Sequence, residues 1–212
     1  MLIAIVDYGM GNLRSVEKAL EHLGYAASVT RDRSAIATAD GVVLPGVGAF
    51  GAAMHNLASY GLIETVREGA LSGRPFLGIC LGMQLLMEES EEQGSFRGLG
   101  VIPGKVLKFF QPADANQYTS TLKTPNMGWN PIRPVKPSPL LKGVPDGAMV
   151  YFVHSYYVAP EIDVVAATTS HGISYCSVIW QGNLHATQFH PEKSGAVGLV
   201  MLRNFAEETR CK

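Results

Sequence analysis

The chain opens on a continuous apolar run, Leu2 to Val6, and then breaks into the loop Gly9-Met10-Gly11-Asn12. Beyond it, apolar residues recur three and four apart at Leu13, Val16, Leu20 and Leu23, the spacing of one helix face, and Gly24 ends the segment. The pattern predicts a strand-loop-helix unit. Tyr25 to Val29 reads as the next strand, and Val42 to Leu44 and Phe76 to Ile79 repeat the sequence of short buried strand followed by helix. Leu81 to Met87 has helical spacing directly after the last of these. Strands alternating with helices imply a mostly parallel sheet covered on both faces.

From Gly104 to Gln181 the texture changes to prolines, glycines and short β-rich runs, among them Met149 to Val153 and Ser174 to Trp180. These predict a mixed or antiparallel extension. Gln111 to Pro125 is polar without periodicity and reads as a mobile surface loop. Asn183 to Gln188 reads as a strand, and Ser194 to Glu207 as a closing helix with Val197, Val200, Met201 and Phe205 on its apolar face. The expected fold is α/β in three layers, a mostly parallel central sheet with flanking helices and an antiparallel extension, forming one domain over residues 1–212.

Composition narrows the class without naming a chemistry. A chain of 212 residues with net charge −1 can bury one large core, and it has no basic cluster that would point to nucleic acid as the main partner. Three widely spaced cysteines argue against a disulfide framework or a zinc site and suit a reducing cytoplasm. No apolar run reaches the roughly 18 residues of a membrane span, and Asp7 interrupts the N-terminal run. Gly9-Met10-Gly11 lacks the third glycine of a dinucleotide fingerprint. His22, His55, His171 and His185 have no metal-ligand spacing that links them.

Three segments carry candidate chemistry. Gly78-Ile79-Cys80-Leu81-Gly82-Met83-Gln84 sets a cysteine between two glycines at a strand-to-helix junction, the construction of a nucleophile elbow. Gly78 and Gly82 leave room for a sharp turn that lifts the thiol above the sheet. Phe189-His190-Pro191-Glu192 places a base and a carboxylate two residues apart, close enough for Glu192 to orient the His190 ring, and Pro191 stiffens the link. Val42 to Phe50 is a strand that breaks into the turn Pro45-Gly46-Val47-Gly48, whose backbone N–H groups, together with that of Leu81, could converge on an oxyanion. Each segment alone also has an ordinary reading: a small buried hydrophobe, a surface turn, a strand exit. All three fall at the carboxyl ends of predicted strands, where ligands gather in such sheets.

In order, spacing and local context these segments resemble the class I (triad) glutamine amidotransferases over nearly the whole chain. Ile5 to Val16 and Met127-Gly128-Trp129-Asn130 resemble, more narrowly, the glutaminase subunits of imidazole glycerol phosphate synthase. The resemblance implies an enzyme in which Cys80, His190 and Glu192 hydrolyse L-glutamine through a thioester, with Gly46, Val47, Gly48 and Leu81 at the oxyanion and with no nicotinamide, flavin, other cofactor or metal called for. It implies that Gln84 helps hold the substrate's α-amino and carboxylate groups, and that His154-Ser155-Tyr156 contacts glutamine through backbone groups. Ammonia would pass to a cyclase subunit of HisF type, a (β/α)8 barrel in a heterodimer, with Asn12, Arg14, Met127, Trp129 and Lys193 facing it. The family's usual histidine before Met127 is replaced by Asn126. The alternatives are a paralogue feeding a different synthase, an elbow-bearing cysteine hydrolase and a binding-only pseudoenzyme. The glycines of the Gly46 to Gly48 turn would permit a peptide flip, which makes that turn the expected point of control by the cyclase. Cys176 reads as core, Cys211 as incidental, and Glu88 to Glu92 as a solvated helix end.

Overall fold

In the computed structural model residues 1–109 and 124–210 are described. Strands and helices alternate through Leu85, save that two helices precede β4: β1 (Ile3–Val6), α1 (Leu13–His22), β2 (Ala27–Thr30), α2 (Arg33–Thr38), β3 (Gly41–Gly46), α3 (Phe50–Ser59), α4 (Ile63–Leu71), β4 (Phe76–Cys80) and α5 (Leu81–Leu85). Local chemistry sets several boundaries. Gly24 ends α1 with φ +83°, its N–H donating to the Glu21 carbonyl at 2.9 Å and that of Tyr25 to the Leu20 carbonyl at 3.0 Å, a Schellman closure. Asp32 starts α2 by accepting from the Ala35 N–H at 2.7 Å.

The remainder is β-rich: β5 (Met87–Ser90), β6 (Phe96–Arg97), β7 (Ile102–Lys108), β8 (Asn126–Pro131), β9 (Arg133–Pro134), β10 (Met149–His154), β11 (Tyr156–Pro160), β12 (Val165–His171), β13 (Ile173–Gln181) and β14 (Leu184–Thr187), closed by α6 (Gly195–Glu208). The main sheet runs β2-β1-β3-β4-β14-β13-β11-β7-β5-β6, with β12 and β9 attached at β13. Its first five strands are mutually parallel, and antiparallel pairing begins between β14 and β13. β8 and β10 form a separate antiparallel pair.

Two apolar cores lie on opposite faces of the parallel half, and strand alternation divides them. Ala4, Val6, Val42, Leu44 and Phe76 pack with the residues of α2, α3, α4 and α5, whereas Ile3, Ile5, Val43, Leu77 and Ile79 pack with α1 and α6. This is why these strands read as unbroken apolar runs.

Two expectations are corrected and two fall outside the described residues. The helix expected over Leu81 to Met87 stops at Leu85, and Met87–Ser90 turns into a strand that pairs with β7 and β6. The acidic run Glu88 to Glu92 is therefore not a helix end but a strand and the loop after it. The predicted loop over Gln111 to Pro125 falls almost wholly in the segment 110–123, and Cys211 in the C-terminal pair, beyond the described residues.

Glycines separate backbone room from helix cost. A Cβ on Gly82 would be driven into the Leu44 carbonyl oxygen, whereas one on Gly69, in α4, would meet its nearest neighbours, Val42 and Phe76, at 3.8 to 4.0 Å. Gly82→Ala should destabilise the protein by at least about 2 kcal/mol, and Gly69→Ala should stabilise it by roughly 0.5 to 1 kcal/mol. Urea unfolding of the two variants beside the parent measures both.

Candidate active site

Cys80 ends β4 with φ 54° and ψ −108°, a conformation that costs a non-glycine residue energy and that surrounding packing must impose. The packing is visible on both sides. A Cβ on Gly78 would press on the Gly82 and Met83 backbone at 3.0 to 3.1 Å, and Gly82 abuts Leu44 of β3. With both glycines in place the chain reverses sharply into α5, and the Cys80 side chain lies at the strand end as predicted. Its Cα partner across β3 is Gly46, so the glycine turn begins directly beside the thiol.

The turn differs from expectation in one respect. Gly48 has φ +100°, open only to glycine in practice, but Gly46 does not have a left-handed backbone. Gly46 is required for space: a Cβ there would run into the Tyr8 hydroxyl and lie 2.8 Å from the Leu81 Cβ. Tyr8, fully buried, donates to the Pro45 carbonyl at 2.8 Å and so pins the entrance to the turn.

β14 lies parallel to β4, pairing Thr187 with Ile79, and carries the chain on to His190 near Cys80. His190 Nδ1 and Glu192 Oε1 are 2.8 Å apart, both side chains 1% exposed. Asn12 Nδ2 donates to the same carboxylate oxygen at 3.4 Å. Ser194 Oγ donates to the His190 carbonyl at 2.6 Å and accepts from the Tyr151 N–H at 3.0 Å, which holds the segment against β10. The His190 Nε2 is buried without a partner of regular hydrogen-bond geometry, yet Cys80 is close enough to act on the charge of the ring. Burial alone would lower the imidazole pKa, but hydrogen bonding and charge from Cys80 and Glu192 outweigh it and push it up to about 10. Both partners thus favour the protonated ring.

Cys80 opens onto a cavity of about 280 Å³ lined by Val47, Gly48, Leu81, Gln84, Glu92 and the segment Val153 to Tyr156, among others. That is just below the roughly 300 to 1,000 Å³ typical of drug-sized ligand sites, and it suits a small molecule. Gln84 is buried, and its Nε2 donates both to the Tyr156 carbonyl at 3.1 Å and to Gln188 Oε1 at 3.3 Å. Both donor hydrogens are therefore used, and only its oxygen is left for a ligand. Burial pushes the His154 pKa down to about 4, against the pull of the Tyr156 carbonyl. The neutral ring donates from Nδ1 to that carbonyl at 2.7 Å and takes the Tyr175 hydroxyl at Nε2, 3.2 Å away. His154 lines the cavity, but its ring serves the Tyr156 backbone.

Known proteins resemble this chain over nearly its whole length. The family model for glutamine amidotransferase class-I matches residues 4–209. The imidazole glycerol phosphate synthase subunit HisH of Syntrophotalea carbinolica is 53% identical over 207 residues, covering 97% of this chain and 100% of that protein. The chain belongs to the class-I glutamine amidotransferases. The HisH subunit of Methanosarcina mazei is 50% identical over 97% of this chain and 98% of its own, so within the family the amidotransferase groups with HisH subunits. Two solved structures share its fold: a GMP synthase component of Thermoplasma acidophilum, with TM-score 0.72 and 20% identity over 100% of this chain and 94% of that one, and PurLQS of Thermotoga maritima, with TM-score 0.72 and 17% identity over 97% of each.

The residues expected to face a partner divide into two groups. Met127 and Trp129 stand 62% and 52% exposed on β8, so Trp129 is not a core aromatic. Trp129 packs edge-on against Tyr151, and Lys193 Nζ lies 5.9 Å from the same ring, which makes one exposed patch. Arg14 is exposed and paired with Glu17 at 2.8 Å. Asn12 instead turns its amide inward to Glu192 and also accepts from Ser15 Oγ at 2.8 Å. Asn126 is buried, donating from Nδ2 to the Tyr175 hydroxyl at 3.1 Å and accepting from Asn130 at 3.1 Å, so it is a polar hub beneath β8 and not a surface contact.

Two side chains of the amidotransferase site escape sequence reasoning. Glu92, read as part of a solvated run, caps α3 by accepting from the Phe50 N–H at 2.8 Å and lines the cavity. Burial raises its carboxyl pKa, and the Phe50 N–H offsets part of the rise. Gln188, read only as the end of a strand, is fully buried between Gln84 and Cys80. The intervals from Cys80 carried no signal for either.

Because the folded His190 pKa lies above the ordinary value of 6.5, its proton stabilises the native state fully below pH 6.5, and that contribution is lost as pH rises toward 10. Unfolding free energy from urea titrations should fall across this window. The fall should flatten in Glu192→Gln, which removes one of the two partners holding the proton.

Proposed function

We propose that this amidotransferase is the glutaminase subunit of imidazole glycerol phosphate synthase in cytoplasmic histidine biosynthesis. It hydrolyses L-glutamine and hands the ammonia to a (β/α)8-barrel cyclase subunit. The observation that carries the reading is the convergence of Cys80, His190 and Glu192 beside one small cavity, in a chain half identical to HisH subunits.

In this reading the substrate lies with its carboxamide over Cys80 and its α-ammonium between Glu92 and the Gln84 oxygen, the acceptors that the cavity offers. Its α-carboxylate meets backbone N–H groups of the Ser155-Tyr156 segment. Cys80 Sγ attacks the carboxamide carbon, and the oxyanion that forms is met by the N–H of Leu81 and by N–H groups of the Val47-Gly48 turn. The tetrahedral species collapses by expelling ammonia, which takes its proton from His190 Nε2, and a γ-glutamyl thioester remains. Water then loses a proton to His190, attacks the thioester carbonyl and releases glutamate and the Cys80 sulfur. Glu192, held by Asn12, keeps Nδ1 of the ring occupied, so that only Nε2 exchanges protons with reactants.

The exposed patch of Met127, Trp129 and Lys193, with Arg14 beyond it, is where the cyclase docks. Such a patch, with a Met and a Trp exposed side by side on one strand, has the composition of an interface centre, where aromatic residues and Met are enriched. Control lies at the Gly46-Val47-Gly48 turn, with Tyr8 fixing Pro45 and Gly48 free to rotate. Cyclase carrying its nucleotide ligand favours the orientation in which the turn's N–H groups face the oxyanion.

Cys80→Ala should lower glutamine-dependent turnover of the complex by at least about 1,000-fold while leaving cyclase turnover with added ammonium salt intact. Loss of both activities, or of neither, would count against the assignment. Glu92→Gln should raise KM for glutamine by about 10- to 100-fold and change kcat less, as expected of a charged contact to the α-ammonium. Glutaminase rates measured with and without the cyclase and its ligand test the control; equal rates remove it.

A further inference from the structure

Gln188 takes no part in the mechanism above, yet it occupies the space behind the thiol. It follows β14, two residues before His190, and its side chain is fully buried. A buried carboxamide is costly unless its groups are paired, and here both ends find partners. Its Oε1 accepts from Gln84 Nε2 at 3.3 Å, and its Nε2 lies 3.9 Å from Cys80 Sγ in donor geometry. Its backbone N–H donates to the Ser177 carbonyl at 2.9 Å, which ties this point of the chain to β13.

The orientation of both amides follows from chemistry. Gln84 Nε2 also donates to the Tyr156 carbonyl at 3.1 Å, and a main-chain carbonyl can only accept. Gln84 therefore cannot be turned end for end, and it must present its nitrogen to Gln188. Gln188 answers with oxygen, which leaves only its NH2 group to face the sulfur. The Tyr156 carbonyl is itself fixed by His154 Nδ1 at 2.7 Å. A buried chain of donors and acceptors thus runs from His154 through the Tyr156 carbonyl, Gln84 and Gln188 to Cys80.

We propose that Gln188 is a positioning residue for the thiol, a fixed donor that holds Sγ in its reactive placement and stabilises charge on sulfur. The contact is long for a neutral thiol and shortens as the sulfur becomes anionic, above all when the thioester breaks and sulfur departs with the electron pair. The same amide links the sulfur to Gln84, so the nucleophile and a wall of the substrate cavity are kept at one spacing. This rests on Cys80 being the nucleophile.

Two substitutions separate the roles. Gln188→Glu keeps the length and an acceptor toward Gln84 but offers the sulfur no donor when ionised, and Gln188→Met keeps the length with neither. In the complex with the cyclase both should lower kcat for glutamine hydrolysis by about 10- to 100-fold, the loss expected for one hydrogen bond to a charged group. In Gln188→Glu the KM should move by less than about threefold, in keeping with a retained Gln84 contact. Without substrate, iodoacetamide labelling of Cys80, followed on its own peptide by mass spectrometry, should slow by about tenfold in both variants. Unchanged kcat and labelling, or a loss confined to KM with labelling unchanged, would show Gln188 to be a spacer beneath Gln84 and overturn the proposal. Failure of both variants to fold would also overturn it, by making the residue structural. Cys80→Ala that still hydrolyses glutamine would instead remove the nucleophile on which the idea stands.

Discussion

The site depends on a backbone bend that the rest of the fold must hold in place. Cys80 sits at φ 54°, and it can do so because Gly78 and Gly82 let β3, β4 and α5 approach to backbone contact. Positive φ at a cysteine is unfavourable by itself, of order 1 to 3 kcal/mol, and is offset by the two apolar cores that clamp the parallel strands from either side. The bend puts the sulfur at the sheet's carboxyl edge, next to the Gly46 to Gly48 turn and near His190 at the end of β14. Three segments far apart in sequence become neighbours because their strands are neighbours.

Electrostatics then complete what the bend begins. His190 and Glu192 are almost entirely withdrawn from water, where an ionised pair survives only if each charge is well partnered. Glu192 Oε1 meets both the His190 ring and the Asn12 amide, and the Cys80 sulfur lies close enough to the other side of the ring to favour its charge. Mutual dependence of this kind explains why Asn12, at the start of α1 and expected at the surface, turns inward. It also places the N-terminal loop of the chain one hydrogen bond from Glu192 and two from the His190 ring. A partner touching the exposed Arg14 or Lys193 would press on elements that carry Asn12 and Glu192.

The cavity beside Cys80 shows how a short polar segment can acquire a place in a site by folding. Glu92 looked like one charge among several, and in an isolated helix it would be solvated. A turn to strand after Leu85 redirects the chain so that Glu92 reaches the first N–H of α3 and one wall of the cavity. Asn126 is the converse case. It stands beside two exposed residues, yet strand alternation sends its side chain beneath β8, where it meets Tyr175 and His154.

Period and glycine placement, both local properties, were enough to read the parallel half of the fold, the elbow at Cys80 and the closing helix from the residues alone, and the two-residue interval across Pro191 offered His190 and Glu192 as a pair. Strands buried on both faces leave unbroken apolar runs, and a reversal this tight leaves glycines, so each writes its own signature into the chain. The resemblance carried by those segments and by the start and middle of the chain supplied the family. Tertiary structure alone decided what depends on contacts across many residues: that Gly46 is needed for space against Tyr8 and not for its dihedral angle, that Asn12 belongs to Glu192, and that Glu92 and Gln188 reach the site. Neither the strand after Leu85 nor the buried path from His154 to Cys80 has a period or a spacing to betray it. Such features arise only when β4, β14, β13 and β11 come together in that order, and the pairing of distant strands is a property of the whole sheet.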